Sequence, residues 1–238
     1  MPVNKLSHKL HQVCFLFVKL LSKKYIHGEL VIDNQLKYEG QAIYAVNHTN
    51  VSDIPVVFHT LNKQIYVLAG TKSQKLIDSI GFMLSGVIWV DRQSAQSRKK
   101  STDKIYKILK SGGSVMWFPE GTWNLTENLL MLQMRWGIVK MAAKANVPIV
   151  PISIHYIGEK IYSTVGAPLI ITFDEEPITA ITRLRDSIAS MKYKQMEVCG
   201  VYTRRDVEKK DFDTLIKVSL DEYPTFNRKY EETCVFKC

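Results

Sequence analysis

Short apolar runs alternate with amphipathic stretches along most of this chain. The runs typical of β-strands lie at residues 28–33, 41–47, 65–69, 87–90, 114–118, 147–154 and 168–173. Apolar residues at helical spacing lie at residues 53–61, 74–80, 94–110 and 136–145. Strands that alternate with helices across short loops predict an α/β fold, with a mixed, largely parallel central sheet flanked by helices. Ser52 is predicted to cap the helix that begins at Asp53.

The first 27 residues form a basic segment with five lysines and no acidic residue. Read as a helix, the segment has one apolar face, made of Leu6, Leu10, Val13, Cys14, Phe17 and Leu21. Its apolar run is too short to cross a bilayer. We therefore predict an N-terminal amphipathic helical arm. Such an arm either lies in a membrane interface or docks on its own domain, and the pattern leaves both readings open.

The rest of the chain divides into a main domain and an extension. Residues 28–177 contain all the predicted strands, so they form the main domain. Residues 178–238 have a polar, helical pattern whose apolar stripe is Ile181, Leu184, Ile188 and Met191. We thus predict three parts: the arm at residues 1–27, the domain at residues 28–177 and a helical C-terminal extension at residues 178–238.

Composition narrows the class of protein. Of 238 residues, 46% are apolar and 23% are charged, which predicts a packed core. The net charge of +9 favours an anionic partner, either nucleic acid, acidic lipid or a phosphorylated substrate. No nucleic-acid-binding signature occurs, so we predict no nucleic-acid partner. The four cysteines are too few for a disulfide scaffold, and Cys234 and Cys238 lack a second ligand pair; we expect a reducing cytoplasmic setting and no metal.

Three polar clusters each follow an apolar strand. They are Asn47-His48, Asp91-Arg92 and Glu120-Gly121-Thr122. Because ligands of such sheets bind at strand ends, we expect the clusters to converge on one edge. The Glu120 turn has backbone amides that could hold an anion, and its carboxylate could accept from a substrate hydroxyl; an ordinary strand-end turn is the alternative. Arg92 could bind a phosphate through both arms of its guanidinium. The alternative is an arginine that is only solvated.

His48 and Asp53 form the candidate catalytic pair. If His48 lies in the turn and Asp53 opens the helix, the carboxylate can accept from one ring nitrogen and leave the other basic. The alternative is a histidine on the surface or in the core that has no catalytic role. Neither a Gly-x-Ser-x-Gly elbow nor a reactive cysteine partner occurs, so the nucleophile would be the substrate's own hydroxyl.

Four ordered motifs carry a family resemblance over roughly residues 34 to 173. They are His48-x-x-x-x-Asp53, Gly86-Val-Ile-Trp-Val-Asp91-Arg92, Phe118-Pro-Glu-Gly-Thr122 and Val147-Pro-Ile-Val-Pro151. Their order and spacing together resemble the glycerolipid acyltransferases, typified by 1-acyl-glycerol-3-phosphate acyltransferases. The resemblance implies a glycerol-3-phosphate acyltransferase-like fold and makes residues 28–177 the acyltransferase domain.

The resemblance also implies roles for the site residues. His48 would be the base and Asp53 its orienting carboxylate. Arg92 would contact the acceptor phosphate, and Glu120, Gly121 and Thr122 would bind the glycerol-phosphate, with residues 147–151 as a wall. The co-substrate would be acyl-CoA or acyl-carrier protein, with no further cofactor, and the acceptor a lysophospholipid. The implied location is the cytoplasmic face of a membrane, as a peripheral or monotopic protein.

Two positions depart from the family pattern. Trp89 replaces a usual phenylalanine, and Trp123 stands where an arginine often follows the Pro-Glu-Gly-Thr run. Because that cation is missing, Arg135 or Lys72 is expected to replace it at the acceptor. A catalytically silent lipid-phosphate-binding protein of the same fold is the alternative function, although the presence of both His48 and Asp53 speaks against it.

Overall fold

A computed structural model describes residues 5–33, 38–70, 86–126 and 129–199. The described strands are β1 (Glu29–Asp33), β2 (Ile43–Val46), β3 (Tyr66–Gly70), β4 (Ile88–Val90), β5 (Val115–Trp117), β6 (Ile149–Ile157) and β7 (Lys160–Val165). The described α-helices are α1 (Lys5–Ser22), α2 (Asp53–Leu61), α3 (Ala95–Lys110), α4 (Gly137–Ala145) and α5 (Pro177–Cys199). The helix predicted at residues 74–80 lies outside the described residues.

The strands form one seven-stranded sheet in the order β1-β7-β6-β2-β5-β3-β4. Neighbours run parallel except for the antiparallel pair β6–β7. This arrangement confirms the predicted mixed, largely parallel sheet. It also places β2 between β6 and β5, so the residues that follow β2 and β5 lie side by side at the same edge.

Both faces of the sheet are covered, as expected for parallel strands. Side chains alternate along β2, so Ile43 and Ala45 face one apolar cluster while Tyr44 and Val46 face another. The first cluster includes buried residues of α3, α4 and α5, and the second includes those of α1 and α2. The central strand that leads to His48 is therefore held from both sides.

The predicted strand at residues 168–173 is wrong. Leu169 makes only an isolated antiparallel bridge with Ile149, and the side chain of Phe173 is 89% exposed. Among the described residues, the apolar run there has no neighbouring strand to pair with over its length. The strand that follows β6 is instead β7, whose buried Ile161, Ser163 and Val165 alternate with more exposed residues. That period of two was the signal the prediction missed.

The predicted cap at Ser52 is also wrong. Its side chain makes no capping bond at the start of α2, and its hydroxyl donates instead to the carbonyl of Tyr25 at 2.6 Å. By contrast, Ser94 does cap α3, since its side-chain oxygen accepts from the amide of Ser97 at 3.2 Å. The bounds of α2 agree with the prediction.

Helix α1 docks on the domain through a narrow face. Phe15 and Val18 are buried, and the Phe15 ring meets the Phe58 ring edge-to-face with centroids 6.0 Å apart. The Lys19 side chain donates to Asn62 Oδ1 at 2.7 Å, and the Lys19 carbonyl accepts from His59 at 3.1 Å. The docked reading of the arm is therefore confirmed for this face.

The rest of α1 carries exposed apolar side chains. They are Leu10, Val13, Leu16, Phe17, Leu20 and Leu21. Four of these belong to the predicted apolar stripe, so the stripe does not face the core. Within the part of the chain that the structure describes, no helix is long and apolar enough to span a membrane.

Helix α5 packs on the domain core. Ile181, Leu184 and Ile188 of the predicted stripe are buried in the same cluster as α3 and α4, and Met191 packs against that cluster. Farther along, Gln195 donates to the Ser153 carbonyl at 3.2 Å and to Thr164 at 2.8 Å. The first part of the predicted extension is therefore attached to β6 and β7.

Candidate active site

Adjacent parallel strands bring His48 and Glu120 together. His48 follows β2 and Glu120 follows β5, and the His48 amide donates to Glu120 Oε1 at 2.9 Å. Asn47 fixes the preceding position, because its side-chain amide donates to the Ile154 carbonyl at 2.8 Å and accepts from the Ile154 amide at 2.7 Å. The predicted convergence of these two clusters is thus observed.

Asp53 orients the His48 ring. His48 Nδ1 lies 2.8 Å from Asp53 Oδ2, and the Asp53 side chain is fully buried. The same oxygen accepts from the amides of Thr49 and Asn50 at 2.8 and 2.9 Å. With Nδ1 donating to this carboxylate oxygen, the other ring nitrogen, Nε2, carries the lone pair and acts as the acceptor.

Tyr156 donates a hydrogen bond to the second oxygen of the Asp53 carboxylate. Its hydroxyl donates to Asp53 Oδ1 at 2.7 Å. Burial, followed by the charge of Asp53 and this hydrogen bond, raises the Tyr156 pKa, so the hydroxyl stays protonated and remains a donor. Sequence reasoning missed Tyr156, because the predicted strand ended at Ile154 whereas β6 runs on to Ile157.

Two aromatic rings enclose the His48 ring. Phe118 stacks on it with centroids 4.0 Å apart and an interplanar angle of 21°. Trp123 approaches edge-on at 5.8 Å and 89°, and its indole N–H donates to His48 Nε2 at 2.7 Å. The basic nitrogen therefore has a hydrogen-bond partner inside the protein.

Glu120 holds the two strand ends together. Its Oε2 accepts from the Leu132 amide at 2.7 Å, while Oε1 accepts from His48. Burial raises the Glu120 pKa to about 7, with a smaller contribution from Asp53, against the lowering effects of the two amides and Lys192. Both oxygens are engaged with backbone, so this geometry supports a role in organising the turn; a contact with the acceptor stays a prediction.

The turn after Glu120 requires glycine. Gly121 has φ +73°, and its amide donates to the Phe118 carbonyl at 3.1 Å. A carbon added at Gly121 would lie 3.1 Å from Arg135 Nε, so the Arg135 guanidinium packs over this turn. The Arg135 amide donates to the Pro119 carbonyl at 2.9 Å, which fixes its backbone there. Thr122 is the next residue and is half-buried.

Arg92 lies farther along the same edge. It follows β4, which β3 separates from β5, so two strand spacings of about 5 Å each lie between β4 and β5. Its guanidinium leans toward β3, since a carbon added at Gly70 would lie 4.0 Å from Nη2. The Arg92 carbonyl accepts from Arg98 at 2.6 Å. The structure thus groups His48, Asp53, Glu120, Gly121 and Thr122, and places Arg92 at the same end of the sheet but two strands away from β5.

The Val147–Pro151 motif lies in the body of the sheet. Ile149 pairs with Ile43, and Pro151 pairs with Ala45, the last but one residue of β2. Later residues of β6 contact the site, where Ile154 bonds to Asn47 and Tyr156 bonds to Asp53. The role of residues 147–151 as a wall stays a prediction. Among residues 5–33, 38–70, 86–126 and 129–199, no group of three potential ligands could hold a metal ion.

An imidazole oriented by a buried carboxylate at the edge of an α/β sheet is an arrangement suited to general acid–base chemistry. The family model described as Acyltransferase matches residues 26–155, more than half of the chain. The chain therefore belongs to the acyltransferase family. The match includes His48, Asp53, Arg92 and the Glu120 turn.

Relatives agree with this assignment. A 1-acyl-sn-glycerol-3-phosphate acyltransferase of Chlamydomonas reinhardtii is 33% identical over 114 residues, 47% of this chain and 33% of its own length. That of Saccharomyces cerevisiae is 31% identical over 113 residues, 46% of this chain and 37% of its own length. The chain thus spans about a third of these relatives.

A solved structure shares the fold. The 1-acyl-sn-glycerophosphate acyltransferase PlsC of Thermotoga maritima matches with a TM-score of 0.64 and 16% identity. The match covers 82% of this chain and 84% of that one. The similarity confirms the predicted acyltransferase-like architecture.

Proposed function

We propose that this protein transfers a fatty acyl group from a thioester carrier to the hydroxyl of a lysophosphatidate-like glycerol-phosphate lipid, in phospholipid biosynthesis. The observation that carries the proposal is the His48–Asp53 pair, in which the buried carboxylate leaves Nε2 as the basic nitrogen. Family membership supports an acyl substrate, and the relatives named 1-acyl-sn-glycerol-3-phosphate acyltransferase support the acceptor.

The reaction is a direct transfer between two substrates. The acceptor oxygen attacks the thioester carbonyl carbon while His48 Nε2 takes the hydroxyl proton, which gives a tetrahedral oxyanion. The carbon–sulfur bond then breaks, and the protonated imidazole returns the proton to the departing thiolate. Asp53 stabilises the imidazolium between these steps, and the acyl group needs no covalent intermediate on the protein.

Arg135 and Arg92 are the cations we assign to the acceptor phosphate; Lys72, the other replacement that the sequence offers, lies outside the described residues. The family often places an arginine at position 123, where this chain has Trp123. The Arg135 guanidinium packs against Gly121 in the same turn, so it can present positive charge close to the missing position. A planar guanidinium suits bidentate binding of a phosphate. Arg92 approaches from β4 at the same edge.

We assign helix α1 as the surface that contacts the membrane, at the cytoplasmic face of that membrane. The helix's exposed apolar residues are accompanied by the exposed Lys9, Lys23 and Lys24, which suits a helix lying in the interface of an anionic membrane. Each basic residue near such a surface contributes about 1 kcal/mol. A peripheral protein held this way meets its lipid acceptor where that lipid resides.

One observation favours the silent lipid-phosphate binder as second candidate. The Trp123 indole occupies the lone pair of His48 Nε2, so the base cannot accept a proton while this bond persists. A binder would bind lysophospholipid without releasing any acylated product. Product formation therefore separates the two functions.

The test is a substrate panel. The full chain is incubated with acyl-CoA or acyl-carrier protein and a range of lysophospholipids, and products are identified by mass. We expect a diacyl product with a lysophosphatidate, loss of it in His48→Ala, and wild-type yield in the control His27→Ala, because His27 is exposed and lies outside the four motifs. Failure to form any product with any pair, from folded protein that binds lysophospholipid, would favour the silent binder.

A further inference from the structure

Trp123 covers the nitrogen that the reaction uses. Its indole N–H points at His48 Nε2 from 2.7 Å, and its ring stands perpendicular to the imidazole. Because the opposite nitrogen is held by Asp53, Nε2 is the one ring atom with a lone pair for a substrate. A water molecule at this position would have to replace the indole before His48 could take its proton.

Residue Asn124 holds the tryptophan in this place. Asn124 is buried, and its amide donates to the His48 carbonyl at 2.6 Å. Its side chain donates to the Leu129 carbonyl at 2.8 Å and accepts from the Thr126 amide at 3.1 Å. The backbone beside Trp123 is therefore bonded to the backbone of His48, and these bonds do not depend on the position of the indole.

The indole itself is placed to move. The Trp123 side chain is 41% exposed, in contrast to Phe118, which is buried against the other face of the imidazole. Rotation of this exposed indole toward solvent would uncover Nε2, and none of the Asn124 hydrogen bonds involves the indole. The indole that covers Nε2 can therefore be changed without changing His48 or Asp53.

We propose that Trp123 is a specificity-determining residue that excludes water from His48 Nε2 until the acceptor hydroxyl displaces the indole. The inference rests on the proposed acyl transfer and concerns the choice of nucleophile. Water is present at far higher concentration than any lipid, and its attack would break the carbon–sulfur bond, form a carbon–oxygen bond and release fatty acid and thiol. An acceptor anchored by its phosphate can replace the indole, whereas unanchored water competes poorly for the same position.

The first test reads access to Nε2 without any acyl chemistry. Diethyl pyrocarbonate modifies unprotonated imidazole nitrogens, and peptide mass mapping gives the rate at each histidine. The exposed His27 is the internal reference. Trp123→Phe keeps a ring but removes the N–H, so we expect modification of His48 to accelerate roughly three- to tenfold, the range set by one net hydrogen bond. Trp123→Ala should accelerate it at least as much.

Trp136→Phe is the matched control. Trp136 is also exposed and lies at the start of α4, and its ring faces Lys140. This variant should leave His48 modification at the wild-type rate. Equal rates of His48 modification in wild type, Trp123→Phe and Trp123→Ala would show that Trp123 does not cover Nε2. That result would reject the inference even if acyl transfer itself is confirmed.

The second test measures the choice of nucleophile. Thiol release from acyl-CoA or acyl-carrier protein is followed without acceptor, and compared with the rate of product formation in its presence. We expect the ratio of hydrolysis to transfer to rise by the same three- to tenfold factor in Trp123→Phe. An unchanged ratio together with faster His48 modification would reject the role in selecting the nucleophile. Absence of transfer in wild type would reject the proposed function instead.

Discussion

The Tyr156 hydroxyl donates to Asp53 Oδ1 at 2.7 Å, although 103 residues separate the two in the chain. Asp53 opens helix α2, and Tyr156 lies near the end of β6. The carboxylate therefore accepts on both oxygens, from Tyr156 on one side and from the His48 turn on the other. This double attachment fixes the imidazole to two separate elements of the fold.

Tyr156→Phe should lower both activity and stability. The substitution leaves Asp53 Oδ1 buried with one donor fewer, and loss of a hydrogen bond to a charged group costs about 1.5–3 kcal/mol. We expect urea unfolding to show a loss of this size, and kcat to fall more than the KM of either substrate changes. Tyr193→Phe is the control, because Tyr193 is exposed on α5 and should change neither quantity. Wild-type kcat in Tyr156→Phe would contradict an orienting role.

The His48–Asp53 contact could be predicted because it is local. Five positions separate the two residues, and the transition from strand to helix in between follows from the pattern of apolar residues. Tyr156 could not be predicted in this way, since its place depends on how far β6 extends and on its register with β2. Long-range register is set by packing, and the sequence pattern carries little of it.

The missed strand β7 has the same kind of cause. Three of its six residues are Lys160, Ser163 and Thr164, so its composition is too polar for a continuous apolar run. Pairing with β6 and β1 on either side makes it a strand. The run at residues 168–173 is more apolar but has no such partners, which is why its composition misled the prediction. Trp123 was recognised as a departure from the family, yet its bond to His48 required the structure.

The stability of the protein should depend on pH through Glu120. Its pKa is raised from 4.5 to about 7 by burial, with Asp53 adding to the shift and Lys192 opposing it. A carboxyl group whose pKa is higher in the folded state stabilises that state fully below pH 4.5, and this contribution is lost as the pH rises to about 7. The full effect is about 3 kcal/mol.

Glu120→Gln is the variant that isolates this effect. The amide does not titrate, so the stability difference between wild type and variant should shift by up to about 3 kcal/mol across that window. Urea unfolding at several pH values measures the difference. The wild type should lose stability relative to the variant as the pH rises. A difference that stays constant with pH would show that the carboxyl group is not perturbed in this way.

Arg135→Ala should weaken binding of the acceptor. The guanidinium beside Gly121 is assigned to the phosphate, so we expect the acceptor KM to rise about tenfold and the donor KM to stay unchanged. Arg92→Ala should act in the same direction. Arg185→Ala is the control, since Arg185 pairs with Asp186 on the exposed side of α5. If Arg135→Ala raises only the donor KM, the cation belongs to the carrier's site.

Binding to vesicles should depend on the exposed face of α1. Deleting the helix is a poor test, because Phe15 packs against Phe58 and Val18 is buried in the same cluster, so their loss would destabilise the domain. The exposed residues Val13 and Leu16 avoid this problem, since replacing both with glutamine leaves the docked face intact. We expect wild type to sediment with anionic vesicles more than with neutral ones, and the double variant to stay in solution.

Salt and a control variant complete that experiment. Electrostatic attraction between exposed groups is screened over about 8 Å at physiological ionic strength, so added salt should weaken binding of the wild type. Phe173 is 89% exposed but lies far from α1 in the chain, and Phe173→Gln should bind vesicles as the wild type does. If the double variant of α1 binds equally well while Phe173→Gln does not, the membrane contacts the surface around Phe173. In that case the exposed stripe of α1 has another partner. The position of His48 relative to the lipid then follows from the surface around Phe173.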